Sequence, residues 1–264
     1  MSNIKVTLVQ SPLHWENPKA NRDMFEHKIA MMEDYTELII LPEMFTTGFT
    51  MNPQQCAEPH LGESFQWMQN LASERGVAIC GSIVTEDKGK YFNRLYWVQP
   101  DGTYYHYDKK HLFSFAGETQ HYTAGKERVI VEYKGWKFLL LICYDLRFPV
   151  WIKNNYSAEK GFDYDCIINV ANWPAARSHP WRVLLMARAI ENQAYMIGVN
   201  RLGEDANGIQ YSGDSALISP MGENFSDLMP GEEKTETISM PKCQLDDFRN
   251  KFRVAEDWDR FTLG

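Results

Sequence analysis

Cys143 is the residue of this sequence best placed to attack a carbonyl. It closes the apolar run 138–142, which has the length and composition of a strand buried on both faces. Tyr144 and Asp145 follow, then Pro149, a residue suited to the first turn of a helix. Strand, tight turn and helix make a nucleophile elbow, here with sulfur in place of a serine hydroxyl, and the N–H of Tyr144 is its natural oxyanion donor. A thiol attacking an uncharged carbonyl also needs a base for its proton, a fixed positive charge for the oxyanion and an acid for the leaving group. Glu43, just after a second buried run at 38–41, can take a proton and return it. The lysines at 109 and 110, in the aperiodic stretch 108–127, can supply the positive charge. Glu43 alone would disfavour the thiolate, whereas a nearby lysine would favour it. Plainer readings exist for each: Cys143 as a small buried hydrophobe, Glu43 as a helix cap or surface charge, and the lysines as a solvated loop.

These groups need a scaffold that brings strand ends together. Alternation predicts a strand over 4–9, a helix over 17–34 with Met24, Phe25 and Ile29 on its apolar side, and strands at 38–41 and 77–84 around a helix at 64–75. Residues 91–99 and 103–107 read as hairpin strands joined by Pro100-Asp101-Gly102. Strands at 129–132 and 136–143 pair around Lys134-Gly135, a helix follows at 146–160, and a strand at 166–170. A helix over 178–192 places Arg188 and Glu191 at pairing distance; strands at 195–200, 216–218 and 236–240 and a helix at 241–252 complete the chain. Such alternation defines an α/β protein, whose ligand crevice lies at the carboxyl ends of its strands. Glu43 and Cys143 both stand at such ends.

With 264 residues, 44% of them hydrophobic, the chain can bury the core of one domain spanning 1–264. A net charge of −8 without a dense basic stripe argues against nucleic acid as a partner. Five scattered cysteines without a CxxC pair suggest neither a disulfide framework nor a zinc site, and favour a reducing compartment. The start of the sequence lacks a signal-peptide pattern and no apolar run approaches membrane-spanning length, so a cytoplasmic protein without membrane contact is expected. The seven histidines show no ligand spacing, and neither metal nor cofactor is expected. The polar and aromatic tail is of a kind that packs on a partner subunit.

Three segments carry a resemblance. Leu41-Pro-Glu-Met-Phe-Thr-Thr-Gly-Phe49, Tyr107-Asp-Lys-Lys-His-Leu-Phe113 and Leu141-Ile-Cys-Tyr-Asp-Leu-Arg-Phe-Pro149 resemble, in order, the glutamate, lysine and cysteine motifs of the nitrilase, or carbon–nitrogen hydrolase, superfamily. The likeness runs from the first strand to about Pro220. It implies a four-layer αββα sandwich that forms homodimers, with Glu43 as base, Lys109 as the oxyanion-binding lysine, Cys143 as nucleophile and Glu118 as the second glutamate. It gives no role to His111, His121 or His179, which are taken as structural. Many members have Gly-His-Ser where this chain has Gly213-Asp214-Ser215, and no function is assigned to Asp214. Within the superfamily the chain is similar to the ω-amidase group, which releases ammonia from the terminal amide of short 2-oxo dicarboxylate monoamides such as 2-oxoglutaramate. A distal carboxylate on such a substrate calls for a guanidinium, and Arg177 is the candidate. Phe45, Phe49 and Trp173 are candidates for an apolar wall that limits chain length. Hydrolysis of a nitrile or an N-carbamoyl amino acid, or a non-catalytic dimeric binding module on the same fold, are the competing readings.

Overall fold

The computed structural model describes residues 3–260 and 262. Two sheets lie face to face. In the first, Ile4–Gln10 pairs in parallel with Leu38–Ile40, which pairs in parallel with Ala78–Asp87. Antiparallel strands extend it on both sides, Lys234–Met240 beside Ile4–Gln10, and Lys90–Val98 then Tyr104–Asp108 beyond Ala78–Asp87. The second sheet repeats the plan. Trp136–Ile142, Cys166–Ala171 and Tyr195–Asn200 run parallel, with Ile130–Tyr133 and Ala216–Ile218 antiparallel at the edges. A parallel centre must be covered on both faces, which is why these strands are continuous apolar runs.

Side-chain alternation assigns the layers. Val6, Leu8, Leu38, Ile40 and Cys80 share one core with the second sheet, and Trp97 meets Phe138 across the interface with ring centroids 5.1 Å apart. Val9, Ile39 and Ile79 turn the other way, under the helices Pro18–Ala30 and Glu63–Arg75, which contribute Phe25, Ile29, Phe65 and Met68. Asn17 caps the first of these helices by accepting from the Ala20 N–H at 3.1 Å, and Gly76, at φ +66°, ends the second. On the far side Ser178–Glu191 lies on the second sheet through Trp181 and Leu185. It lies close because of Gly198, where a Cβ would come within 2.7 Å of both side chains. The result is the four-layer αββα sandwich that the family resemblance implied.

The single helix expected over 146–160 is not formed. A 3-10 turn, Cys143–Arg147, gives way to the short helix Pro149–Ile152 and then to a small hairpin of Tyr156–Ser157 with Gly161–Phe162. Pro149 has no N–H to continue the preceding turn. Beyond it, Asn154 bonds its side chain to both backbone groups of Tyr164, at 3.0 and 3.3 Å, and so holds the chain out of helix. A second hairpin, Leu202–Glu204 with Gln210–Ser212, belongs to neither main sheet. In the tail, Trp258 packs on its own chain, its ring 3.3 Å from Nζ of Lys153; residues 261, 263 and 264 of the segment assigned to a dimer interface lie outside the described residues. Among the described residues no helix is long and apolar enough to cross a membrane.

Candidate active site

The strand Trp136–Ile142 delivers Cys143 to its carboxyl end with φ at +45°, and Met44, next to Glu43, has φ +41°. Non-glycine residues in the left-handed region are strained and persist only where the surroundings hold them. Asp145 supplies much of that hold. Its carboxylate accepts from the Ile142 N–H at 3.0 Å, the Tyr107 hydroxyl at 2.8 Å and the His111 N–H at 2.9 Å, and Nδ1 of His111 lies 2.8 Å from Oδ1. The His111 ring stacks on Phe148 with centroids 3.7 Å apart. These bonds join the elbow to the loop that carries Lys109, so His111, taken from sequence as structural, is a brace between two parts of the site.

Lys109 is buried between two buried carboxylates. Its Nζ donates to Glu43 Oε1 at 3.0 Å and to Glu118 at 3.1 and 2.9 Å. Glu43 also accepts from Asn93 Nδ2 at 2.7 Å and from the backbone N–H of Asn172 at 2.7 Å. Glu118 accepts from the Phe113 N–H at 2.5 Å and, at 3.4 Å, from the same Asn93 amide. Asn93 thus bridges both carboxylates, and its own carbonyl accepts from the Lys109 N–H at 3.0 Å. Glu43, Lys109 and Glu118 are thereby brought together, and the Cys143 thiol, from a third distant segment, lies in hydrogen-bonding contact with Glu43.

Their charges act on one another. Burial alone would drive the proton off Lys109, but the Glu118 and Glu43 carboxylates outweigh it and hold the ammonium above the ordinary lysine range. Glu118 is pushed up, first by burial and further by Glu43, against the pull of Lys109. The Cys143 thiol is pushed well up by burial and by the charge and hydrogen-bonding contact of Glu43, with Lys109 opposing. The Cys143 thiol therefore rests neutral, and a thiol in that state must hand its proton to a base before it can attack a carbonyl.

A pocket of about 500 Å³ empty volume opens over Cys143. Phe49, Trp173 and Arg177 line it, as the sequence suggested, and so do Tyr144 and Arg147. Tyr144 is the second residue of the 3-10 turn, a position whose N–H finds no acceptor within the turn. Phe45 does not reach the pocket. The chain reverses at Met44, so the Phe45 ring enters the core between Phe25 and Trp67, with centroids 5.7 and 5.8 Å away. Arg177 lies over the Phe113 ring at 5.4 Å and Arg147 over the Trp173 ring at 4.8 Å. Among the described residues neither guanidinium has a carboxylate partner. Asp214 is structural: it accepts from Arg182 at 3.0 Å and from Ser212 at 2.5 Å, and its carbonyl accepts from Trp181 Nε1. Among the described residues no group of three His, Cys, Asp or Glu side chains could hold a metal ion.

Sequence reasoning passed over Asn93, Asn172, Arg147 and the hairpin of residues 202–212, which contributes Ile209 and Tyr211 to the pocket. Signals for two of them were present. Asn172 follows a buried strand just as Glu43 and Cys143 do, and Asn207-Gly208 is a strong hairpin turn pair.

A parallel-centred αββα sandwich with a cysteine elbow facing a glutamate–lysine–glutamate cluster defines a carbon–nitrogen hydrolase. The profile of that family, "Carbon-nitrogen hydrolase", matches residues 5–251, and the chain belongs to it. Among individual proteins, it is 43% identical over 263 residues to the omega-amidase YafV of Yersinia enterocolitica, covering the whole of both chains. It is 31% identical to the 2-oxoglutaramate amidase of Bacillus subtilis, over 82% of this chain and 83% of that one. The crystal structure of a CN-hydrolase superfamily protein from Xanthomonas campestris, with an arsenic adduct in its active site, superposes with a TM-score of 0.97 at 39% identity, covering both chains fully.

Proposed function

We propose that this protein is an ω-amidase that releases ammonia from the terminal amide of a short 2-oxo dicarboxylate monoamide through a thioester on Cys143. The observation that carries this reading is a division within one pocket. The charges beside the thiol are all paired by the protein, whereas among the described residues Arg147 and Arg177 on its wall have no carboxylate partner, the complement of a small acidic amide.

The lone-pair geometry supports assigning the base. A carboxylate offers about four acceptor positions. Glu118 has four contacts, from Lys109 to both oxygens, from Phe113 and from Asn93, and is saturated. Glu43 has three such donors and keeps a position for the thiol proton. As sulfur bonds to the amide carbon, Glu43 takes that proton, while Lys109 and the Tyr144 N–H receive the developing oxyanion. Glu43 then returns the proton to nitrogen, the carbon–nitrogen bond breaks and ammonia leaves. Water, deprotonated by Glu43, then attacks the thioester carbonyl; the carbon–sulfur bond breaks, the acid leaves, and Glu43 returns the proton to the Cys143 sulfur. The net charge of −8 without a dense basic stripe speaks against nucleic acid as a partner, the scattered free cysteines suit a cytoplasmic setting, and the family resemblance is the ground for a homodimer.

Ammonia release measured on 2-oxoglutaramate, glutamine and a simple nitrile tests the reading. The oxo acid amide is expected to exceed the other two in kcat/KM by about a hundredfold. Preference for the nitrile, or for an N-carbamoyl amino acid added to the panel, would reassign the substrate class.

A further inference from the structure

Asn172 presents a buried acceptor that nothing among the described residues satisfies. It stands at the end of the strand Cys166–Ala171, is 4% exposed and lines the pocket. Its backbone N–H donates to Glu43 Oε2 at 2.7 Å, and its side-chain Nδ2 donates to the Glu43 backbone carbonyl at 2.6 Å. A carbonyl oxygen can only accept, so the orientation of the side-chain amide is fixed by chemistry: the nitrogen faces Glu43, and Oδ1 is the end left over. Oδ1 is buried and without a partner among the described residues. Leaving a buried acceptor unpaired costs about 1–3 kcal/mol, so its persistence beside a catalytic carboxylate calls for an occupant.

We propose that Asn172 Oδ1 accepts an N–H of the substrate amide and so orients the leaving nitrogen toward Glu43. The occupant must be a donor, because Oδ1 offers only lone pairs. In the reaction proposed above, the group that has to come nearest the Glu43 carboxylate is the amide nitrogen, which carries two hydrogens. One N–H held by Oδ1 turns the nitrogen so that its lone pair, freed as the carbonyl becomes tetrahedral, points to the proton that Glu43 took from sulfur. The thiol gives up one proton, nitrogen receives it, the sulfur–carbon bond replaces the carbon–nitrogen bond, and ammonia departs. An ester of the same acid has no N–H at this position and gains nothing from Oδ1. Asn172 would thus separate amides from esters that share one acyl group, a selectivity that the cysteine and lysine cannot provide.

The inference rests on the amidase reading, and the experiment separates the two. Hydrolysis of 2-oxoglutaramate and of the matching ω-methyl ester is measured for the wild-type chain, Asn172→Ala and the isosteric Asn172→Leu. Both substrates pass through the same thioester, and the backbone N–H bond to Glu43 survives either substitution. Asn172→Ala also removes the Nδ2 bond to the Glu43 carbonyl, so both substrates are expected to slow, with kcat/KM on the amide falling about tenfold or more further than on the ester. Asn172→Leu, which keeps the volume, is expected to give the same split. Equal losses on amide and ester would mean that Asn172 only props Glu43, and would overturn the proposal while leaving the amidase intact. A wild-type protein that releases no ammonia from the amide would overturn both.

Discussion

The two ends of the pocket follow opposite rules. Around the thiol every charge is answered from within: Lys109 by Glu43 and Glu118, those carboxylates by Asn93 and by the N–H groups of Asn172 and Phe113. On the wall, Arg147 and Arg177 lie on aromatic rings with no counter-charge among the described residues. A buried group left unpaired is penalised severely, so the inner set must be complete before substrate arrives. A half-buried guanidinium over an aromatic ring keeps part of its hydration and some cation–π attraction, and can wait. Preorganisation thus belongs to the reacting end, and selection to the end that the ligand itself completes.

That contrast can be broken from the inside first. Cys143→Ala is expected to lower turnover by about five orders of magnitude, and Glu43→Gln to slow the acylation burst by about a thousandfold, both read by stopped-flow ammonia release. A full burst in Glu43→Gln would remove the residue from its role. At the wall the effect is smaller and selective. Arg177→Ala or Arg147→Ala is expected to raise KM for an acidic amide by about ten- to a hundredfold while changing a neutral amide by less than about threefold; equal changes would show that the arginines only pack. The smallest effect concerns stability. Burial and Glu43 hold the Cys143 thiol protonated in the fold, whereas an unfolded chain loses that proton near pH 8.5. Above that pH the folded state binds one more proton than the unfolded state, so stability falls as pH rises, by about 1.4 kcal/mol per pH unit for this thiol. Below it the two states bind alike and the contribution is flat. Urea midpoints at pH 8 and 10 should therefore drop less for Cys143→Ala than for wild type, and parallel drops would contradict the assignment.

The reacting end was largely legible in the sequence because its groups sit at the ends of apolar runs. Leu38–Ile40 and Trp136–Ile142 announce themselves as buried strands, and the residues just beyond them, Glu43 and Cys143, are placed by chain geometry alone. Lys109 and Glu118 lie in an aperiodic loop, so their roles came from the family resemblance rather than from pattern. The residues that hold this set were not legible. Asn93 lies inside the strand Lys90–Val98 and reaches partners 50 and 25 positions away, and Asp145 gathers Tyr107 and His111 from 38 and 34 positions upstream. No local period records such bonds. Phe45 failed for the opposite reason: an aromatic two residues after a strand-end glutamate suggests a pocket wall, but the reversal at Met44 sends it into the core. The helix expected at 146–160 followed a periodicity that Pro149 and the Asn154 side chain override.

The hairpin of residues 202–212 stands apart from both sheets, joined to the first by a bridge between Leu202 and Pro12. Its shape is internal: Asp205 accepts from the N–H groups of Asn207 and Ile209 and from the Tyr211 hydroxyl, and Arg201 backs the Tyr211 ring at 4.7 Å. A peninsula with its own framework can be reshaped without disturbing the strands that hold Glu43, Lys109 and Cys143. New diets can therefore evolve on one reaction by redrawing a short coastline while the machinery inland stays as it is.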